Sequence, residues 1–291
     1  MAKKKTTTKR VNNVVLVSDT HCGCRLGLCP PDGIHLDDGG TYQPSAFQRK
    51  VWSYWTEFWN VHVPSVTRGE PFDVVHCGDA MDGVPHRGKT PISHNWADQQ
   101  NIAIECLLPV ADNCRASGGT FFHIRGTEAH VGKSGEREEL LARALGAKRN
   151  KHHQHARYDL WKRCGPKLLH ILHHIGTTGS QAYEATAVHK ELTESFVEAA
   201  RWHEQPPDMI IRGHRHRYLL TEIATSRKGE TAQANAVVLP SWQGKTPFVW
   251  KIPGGRLAPP QFGGAVVRYS TDSGELYVRP KVWTVQRSEP E

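Results

Sequence analysis

The segment Val14-Val15-Leu16-Val17-Ser18-Asp19-Thr20-His21 joins four consecutive apolar residues to a polar turn that contains an aspartate and a histidine. Four apolar residues in a row predict a β-strand buried on both faces, and such strands belong to sheets that are covered on each side. In strand-like backbone, residues i and i+2 point the same way, so we expect Asp19 and His21 to converge on one point. An oxygen and a nitrogen ligand converging there would form half of a metal site. For this segment alone, a capping aspartate beside an incidental histidine explains the pattern at least as well.

Four further strand-like runs end in residues of the same kinds. The runs at 72–77, 120–125, 168–172 and 209–212 lead into Gly78-Asp79, Gly126-Thr127-Glu128-Ala129-His130, His173-His174 and Gly213-His214-Arg215-His216. Each motif alone is weak evidence, because Gly-Asp and Gly-His pairs are common in turns. Five motifs in one chain, each directly after an apolar run, are hard to explain as separate turns. Because sites in α/β sheets form beyond the carboxyl ends of the strands, we expect the five loops to meet in one crevice.

Helical spacing of apolar residues separates these strands. It occurs at 46–61, where the aromatic stripe favours a buried helix face over a base-stacking surface, and at 96–114, with a bend expected at Pro109. It recurs at 134–145, where Ser134 is the candidate N-cap, and at 181–203. From residue 218 on, short β-branched runs alternate with turn signals, and residues 271–274 predict a hairpin turn. This order predicts a layered α/β domain with a partly mixed sheet.

The length and composition indicate a globular protein. A chain of 291 residues can form one large α/β domain or two small ones. No apolar run is long enough for a transmembrane helix, and no apolar signal segment follows the basic N-terminus, so we expect a cytoplasmic protein without a membrane partner. Seven cysteines, an odd number, favour free thiols over a disulfide framework. A zinc site at Cys22, Cys24 and Cys29 is the weaker alternative, because the paired C-x-x-C pattern is missing.

The charge balance favours a polyanionic partner. A net charge of +8 and a pI of 9.2 are typical of proteins that bind nucleic acid. Residues 1–11 are expected to be a basic flexible arm, and the sequence leaves the oligomeric state open. A phosphate-tracking surface is expected from basic residues in or near the motif loops, with an ordinary solvated surface as the alternative: Arg87, Lys89, Lys133, Arg137, Lys148, Arg149, Lys151, Arg157, Arg215 and Arg217.

Taken in order, the motifs resemble those of the calcineurin-like metallophosphoesterase family, whose pattern is D-x-H, G-D-x-x-D, G-N-H-[DE], H and G-H-x-H. The match spans residues 19–216, and four of the five motifs fit. The resemblance implies an α/β fold with a two-sheet β-sandwich core flanked by helices (α/β/β/α). It also implies two divalent metal ions, with Mn expected first and Zn, Fe or Ni as alternatives. Residues 12–291 would form one domain, with an insertion at about 23–61 and a β-hairpin region at about 236–284.

The resemblance also implies a set of metal ligands. Asp19, His21 and His216 would hold one ion, His173 and His214 would hold the other, and Asp79 would bridge them, with His174 as the alternative to His173. Two cations roughly 3.5–4 Å apart need anionic oxygen between them, and a water that they share loses a proton near neutral pH and attacks phosphorus. Asp82, the last residue of G-D-x-x-D, is expected to orient His21 or its loop rather than to bind metal.

The chain departs from the family pattern at G-N-H-[DE]. Thr127 stands where the family has an asparagine that binds the second metal, and Glu128 stands where it has the histidine that assists the leaving group. Three outcomes are open: Thr127 is a weak metal ligand, Glu128 is an anionic ligand, or His130 takes the acid role. We expect a working enzyme with His130 near the scissile phosphate, and Asp79 and Glu128 are the other candidate catalytic residues.

The expected activity is hydrolysis of phosphodiesters, with nucleic acid as the substrate and a DNA endo- or exonuclease as the first hypothesis. A phosphodiesterase or phosphomonoesterase acting on small molecules or cyclic nucleotides is the second. A metal-bound module that binds nucleic acid without catalysis is the third.

Overall fold

The computed structural model describes residues 11–84, 88–132, 134–176, 181–227 and 230–285. The predicted arm, apart from Val11, and two of the predicted basic residues, Arg87 and Lys133, lie outside these ranges. The strands are β1 (Asn13–Val17), β2 (Ile34–His35), β3 (Thr41–Tyr42), β4 (Phe72–Cys77), β5 (Phe121–Ile124), β6 (Ala156–Arg157), β7 (Asp159–Cys164), β8 (Lys167–Leu172), β9 (Met209–Arg212), β10 (Leu219–Arg227), β11 (Glu230–Val238), β12 (Gln261–Tyr269) and β13 (Leu276–Thr284). The α-helices are α1 (Ala46–Glu57), α2 (Val63–Thr67), α3 (Trp96–Ala116), α4 (Glu128–Val131), α5 (Glu136–Ala144), α6 (Glu184–Arg201) and α7 (Pro253–Arg256).

Two mixed sheets form the centre of the fold. The first has the order β13-β12-β1-β4-β5-β6, in which β1, β4, β5 and β6 are parallel and β12 and β13 are an antiparallel hairpin beside β1. The second has the order β10-β11-β9-β8-β7, in which β8, β9 and β11 are parallel and the two outer strands are antiparallel to their neighbours. The turn predicted at residues 271–274 joins β12 to β13 and is confirmed.

Three hydrophobic clusters define the layers. One packs α1, α3 and α5 on the outer face of the first sheet, where Val15 and Val17 of β1 point. The second fills the space between the sheets, where Val14 and Leu16 face Ile171 of β8 and other apolar residues of the second sheet. The third packs α6 on the outer face of the second sheet. The molecule is therefore an α/β/β/α sandwich, as predicted, and the four apolar residues of β1 are buried on both faces.

Two local predictions are corrected. The helical segment predicted at 46–61 continues to residue 67, because a π-helical turn, Phe58–His62, links α1 to α2 without a break. Ser134 is not the N-cap of α5, since Gly135 takes that position with a left-handed φ of 71°. Pro109 lies inside α3, which runs through it as one helix.

The cysteines agree with the expectation of free thiols. All seven cysteines are free and buried. Cys22, Cys24 and Cys29 are absent from the groups of described residues whose ligand atoms lie close enough to share a metal ion. Among the described helices, none combines the length and the apolar character that crossing a bilayer requires.

Candidate metal centre

The five motif loops meet at the carboxyl ends of β1, β4, β5, β8 and β9. Backbone hydrogen bonds tie them together: the N–H groups of Asp19 and His21 donate to the carbonyls of Gly78 and Asp79, both at 3.0 Å. The Gly213 N–H donates to the carbonyl of His173 at 2.9 Å. The crevice expected from the sequence is therefore formed by direct contact between the loops.

The backbone of these loops is unusual for residues with side chains. Of the eight described non-glycine residues with positive φ, five belong to the motifs: Asp19 (54°), His21 (43°), Asp79 (52°), His214 (69°) and His216 (53°). Such conformations cost of order 1–3 kcal/mol each and concentrate at functional sites. The strand-like backbone predicted for Asp19 and His21 is wrong. Their side chains converge because both residues are left-handed and are anchored to the loop after β4.

Two glycines make room for the candidate ligands. A Cβ on Gly78 would lie 2.5 Å from Nδ1 of His173, and the φ of +87° disfavours a side chain there as well. A Cβ on Gly126 would lie 2.0 Å from Oδ1 of Asp79. These glycines of the motifs are therefore required by the close approach of the loops.

Three overlapping groups of side chains could hold metal ions. In each group, one ligand atom from every residue lies within 4.8 Å of the others. The groups are Asp19, His21 and His216; His21, Asp79 and His130; and Asp79, His173 and His214. Because His21 and Asp79 are each shared by two groups, the three groups form one continuous centre. Six of the seven predicted metal ligands therefore lie together, with Asp79 between the other ligands.

Within the three ligand groups, carboxylate oxygens lie close to ring nitrogens. Nε2 of His216 is 3.1 Å from Oδ1 of Asp19, and Nε2 of His173 is 3.1 Å from Oδ2 of Asp79. Nε2 of His21 is 3.2 Å from Nε2 of His216. Asp19 Oδ1 and His173 Nε2 are buried, and neither forms a hydrogen bond with good geometry to any residue that the structure describes. Ligand atoms that face one another in this way fit a shared divalent cation, and the mixed oxygen and nitrogen donors suit Mn, Fe, Ni or Zn.

Thr127, the seventh predicted metal ligand, contacts the central carboxylate. Its N–H donates to Oδ1 of Asp79 at 2.7 Å, and its hydroxyl donates to Oδ2 at 2.6 Å. Both donors of Thr127 therefore hold Asp79 in one orientation. Whether the hydroxyl oxygen also binds metal stays a prediction.

His130 lies at the more accessible side of the centre. Its ring centroid is 4.6 Å from that of His21, in an edge-on arrangement. Its Nδ1 is 2.5 Å from the carbonyl oxygen of Asp82, and the carboxylate of Asp82 is 3.2 Å from Nδ1 of His21. Asp82 therefore contacts both histidines, which agrees with the orienting role expected from the sequence. Glu128 is exposed and belongs to none of the three ligand groups found among the described residues.

Burial and charge shift the pKa values of these groups strongly. Burial lowers the pKa of His21 and of His173, but nearby aspartates outweigh it and raise both values to about 10. Burial raises the pKa of Asp79, and the charges of His173 and His130 reverse this and hold it below the usual range. Burial, together with the charge of His173, lowers the pKa of His214 to about 4. The centre therefore attracts cations, and protons on His21 and His173 occupy positions that metal ions would take.

The geometry favours His173 over His174 as the candidate ligand. His173 is buried, its Nδ1 lies 2.6 Å from the carbonyl oxygen of Cys77, and its Nε2 faces Asp79. A carbonyl oxygen can only accept, so Nδ1 carries the hydrogen and Nε2 is left for a metal ion. His174 is exposed and is absent from the ligand groups of the described chain.

The predicted basic surface is divided between two ends of the molecule. Lys148 donates its N–H to the carbonyl of Phe121, the first residue of β5, whereas the metal centre follows the last residue of that strand. The exposed side chains of Lys148, Arg149 and Lys151 are therefore far along the sheet from the centre. Arg157 is buried, and Arg215 and Arg217 both contact Glu184.

Two supporting residues could not be found from the motifs. Gln243 donates from Nε2 to Oδ1 of Asp82 at 3.0 Å, although it is 161 positions away in the chain. Glu138 of α5 is fully buried, and it accepts from the N–H of Ala80 at 3.1 Å and from that of Gly126 at 2.7 Å. No sequence signal distinguishes Glu138, because the first turn of α5 holds three glutamates, Glu136, Glu138 and Glu139, and only the fold shows which of them is fully buried.

Comparisons with known proteins add little to this geometry. No family model matches the chain, and no curated protein sequence matches it. The solution NMR structure of a Thermotoga maritima protein aligns with 94% of this chain and 100% of its own, at 13% identity and a TM-score of 0.35. The crystal structure of a metallophosphoesterase from Sphaerobacter thermophilus aligns with 92% of this chain and 88% of its own, at 10% identity and a TM-score of 0.35. At these identities and TM-scores, neither likeness assigns a function to this chain.

Proposed function

We propose that this protein is a phosphodiesterase that depends on two divalent metal ions and acts on nucleic acid, with DNA as the first substrate to test. The observation that carries the proposal is the single centre formed by Asp19, His21, Asp79, His173, His214 and His216. Two carboxylates and four imidazoles in overlapping groups exceed what one ion requires. Structural metal sites are closed by four ligands, so the larger set favours a two-metal hydrolase.

The residues would divide between the ions as the family pattern predicts. Asp19, His21 and His216 would hold one ion, His173 and His214 the other, and Asp79 would contact both. When bound, two such ions supply Lewis acidity and an activated water, and they favour in-line displacement at phosphorus. Manganese is our first choice of metal because the two carboxylates suit it, and Zn, Fe and Ni, which imidazole suits, are the alternatives.

His130 is assigned the proton transfer. Since Nδ1 of His130 faces the carbonyl oxygen of Asp82, Nδ1 carries the hydrogen and Nε2 keeps a lone pair. Burial lowers the pKa of His130, so the ring is neutral at neutral pH. Nε2 can accept a proton and return it to the leaving oxygen. Glu128 is exposed and is the weaker candidate for this step.

The net charge of +8 supports nucleic acid as the substrate class. Lys89 is exposed in the loop that follows the Asp79 motif, where it can contact a phosphate next to the scissile one. Small phosphodiesters would have no use for such an excess of positive charge.

The test compares hydrolysis of bis-(p-nitrophenyl) phosphate and p-nitrophenyl phosphate, each with EDTA and with added Mn²⁺, followed by cleavage of single-stranded DNA and plasmid. We expect metal-dependent turnover that favours the diester, together with DNA cleavage. No hydrolysis of either ester with Mn²⁺, Zn²⁺, Fe²⁺ or Ni²⁺ would overturn the proposal. Turnover of cyclic nucleotides without DNA cleavage would keep the metal centre and change the substrate.

A matched pair of variants controls for general damage to the fold. Asp79 and Asp208 are equally buried aspartates, and each accepts hydrogen bonds from a backbone N–H. Asp208 lies directly before β9, at the amino end of that strand, whereas the metal centre lies beyond its carboxyl end. We expect Asp79→Asn to abolish turnover and Asp208→Asn to retain it, with circular dichroism confirming that both variants fold.

A further inference from the structure

A loop beside the metal centre exposes several large apolar side chains. Within residues 244–258, called the aromatic loop below, Phe248 is 47% exposed, Trp250 58%, Ile252 38% and Leu257 68%. Single exposed apolar residues are normal on protein surfaces, but four within ten positions form a patch that calls for a partner. The patch belongs to a described segment outside the five motifs.

The aromatic loop starts at the rim of the metal centre. Trp242 donates its N–H to the carbonyl of Asp19 at 2.9 Å, and Gln243 donates from Nε2 to Asp82 at 3.0 Å. Lys245 follows Gln243 by two residues, so their Cα atoms are at most about 7 Å apart. Lys245 Nζ in turn lies 4.2 Å from the centre of the Trp250 ring. Residues 242 and 243 are therefore hydrogen-bonded to the Asp19 and Asp82 loops, and Lys245, two positions further along the chain, contacts Trp250.

The charges of the aromatic loop identify the chemistry of its partner. The sequence between Glu230 and Asp272 contains no acidic residue, and the loop carries Lys245, Lys251 and Arg256. Lys251 and Arg256 are exposed. Aromatic faces interleaved with cations are the surface that single-stranded nucleic acid binds, because bases stack on the rings and the cations contact phosphates. The absence of carboxylates makes the loop complementary to a polyanion and not to a basic partner.

We propose that the aromatic loop binds single-stranded nucleic acid, with the Trp250 ring stacking on a base beside the phosphate that enters the metal centre. This proposal rests on the proposed function, which supplies nucleic acid as the substrate. It adds the surface that would bind that substrate. The cation–π contact of Lys245 holds the Trp250 ring in place, and the ring is 58% exposed, so a base can stack on it. Lys251 and Arg256 contact the flanking phosphates.

The test measures binding and does not require turnover. The full-length protein is titrated into a fluorescein-labelled 12-nucleotide phosphorothioate strand, which keeps its bases and charges and resists cleavage, and anisotropy is recorded. A second strand of the same length and charge carries abasic sites in its middle six positions. The variants are Trp250→Ala, Trp250→Phe, and Trp202→Ala as the control. Trp202 is 71% exposed and directly follows α6. It lies in the segment that leads to the amino end of β9, whereas the centre lies beyond the carboxyl end of that strand.

Trp250→Ala should weaken binding of the base-bearing strand about tenfold, within the roughly 5- to 150-fold range for loss of one stacked base. The same variant should change binding of the abasic strand by less than twofold. Trp250→Phe should recover most of the affinity, and Trp202→Ala should bind like the wild type. All three variants are compared with the wild type at equal ionic strength, because phosphate contacts depend on salt.

Three results would overturn this assignment. The first is that Trp250→Ala binds the base-bearing strand as tightly as Trp202→Ala does. The second is that Trp250→Ala loses the same factor on both strands, since that would mean that the ring contributes no stacking. If sedimentation shows instead that Trp250→Ala abolishes self-association and leaves strand affinity unchanged, the loop is a contact between copies of the chain and the proposal is wrong. Hydrolysis of bis-(p-nitrophenyl) phosphate by the same preparations tests the proposed function separately, because that ester carries no nucleobase.

Discussion

Replacing Glu138 with glutamine tests whether a residue outside the ligand groups supports the metal centre. Glu138 is fully buried on α5, and its hydrogen bonds with described residues come from backbone N–H groups rather than from candidate ligand side chains. Its two oxygens accept from the N–H of Ala80, which follows Asp79, and from the N–H of Gly126, which precedes Thr127. One side chain therefore holds together the two loops that meet at the Asp79 carboxylate.

The size of the effect follows from those two hydrogen bonds. Glutamine offers one acceptor oxygen and one NH₂ group, so one of the two backbone N–H groups loses its acceptor in a buried place. An unsatisfied buried donor costs about 1–3 kcal/mol, which we expect as the fall in the free energy of unfolding. Because the Asp79 and Gly126 loops then separate, the affinity for Mn²⁺ should fall by about 10- to 100-fold, the usual effect of losing a residue that supports metal ligands.

Glu139, the next residue, provides the matched control. Its carboxylate also accepts from two backbone N–H groups, those of His155 at 2.9 Å and Ala156 at 2.8 Å, but these belong to the start of β6 and not to the motif loops. We expect Glu139→Gln to lose no more stability than Glu138→Gln in urea unfolding with EDTA, because the Glu139 side chain is 29% exposed and water can reach the freed N–H group. Its Mn²⁺ affinity, measured by isothermal titration calorimetry, should stay within about threefold of the wild type. Equal Mn²⁺ affinities for Glu138→Gln and Glu139→Gln would refute the reasoning.

Three further predictions concern the centre itself. Asp79→Asn should release at least one metal ion in elemental analysis of the purified protein, because the central ligand loses its charge; an unchanged metal content would contradict the two-metal arrangement. His130→Ala should slow diester hydrolysis and leave the metal content unchanged, whereas loss of metal from Glu128→Ala would show that the roles in α4 are assigned wrongly. In EDTA, the Tm should fall as the pH rises from 7 to 10. Burial lowers the pKa of His21 and of His173, but nearby aspartates outweigh it and raise both values to about 10. The protonated rings therefore stabilise the fold fully below pH 6.5, and this stabilisation is lost as the pH approaches 10. Saturating Mn²⁺ should reduce the dependence of the Tm on pH. A Tm that does not change with pH in EDTA would contradict the inference that His21 and His173 are protonated in the metal-free protein.

The central strands could be predicted because their burial determines their sequence. β1, β4, β8 and β9 are apolar runs that end in motif residues, and each lies within a residue or two of its predicted bounds. The outer strands β7 and β10 were not predicted. β7 reads DLWKRC, with charged residues on its exposed face, and its position depends on pairing with β8 rather than on its own pattern. The positions of these two edge strands depend on pairing with neighbouring strands, and the local sequence pattern does not contain that information.

The ligands of the candidate centre could be predicted, but not the backbone that directs them. Asp19 and His21 were expected to converge on strand-like backbone, and both instead have positive φ. Spacing in the sequence indicates which side chains are near a strand end, whereas φ is set here by hydrogen bonds to the loop after β4. Gln243 shows the same limit, because its contact with Asp82 joins loops from opposite parts of the chain.

The broken G-N-H-[DE] motif has a geometric explanation in α4. In an α-helix, successive residues are about 100° apart, so residues 128 and 130 point to nearly opposite sides. Glu128 is exposed and His130 lies against His21, so only the later residue can reach the centre. An imidazole at position 128 would point into solvent on this backbone. The two-residue shift of the histidine therefore matches the helix that starts at Glu128, and Thr127, at the N-cap, is left to fix the orientation of Asp79 with both of its donors.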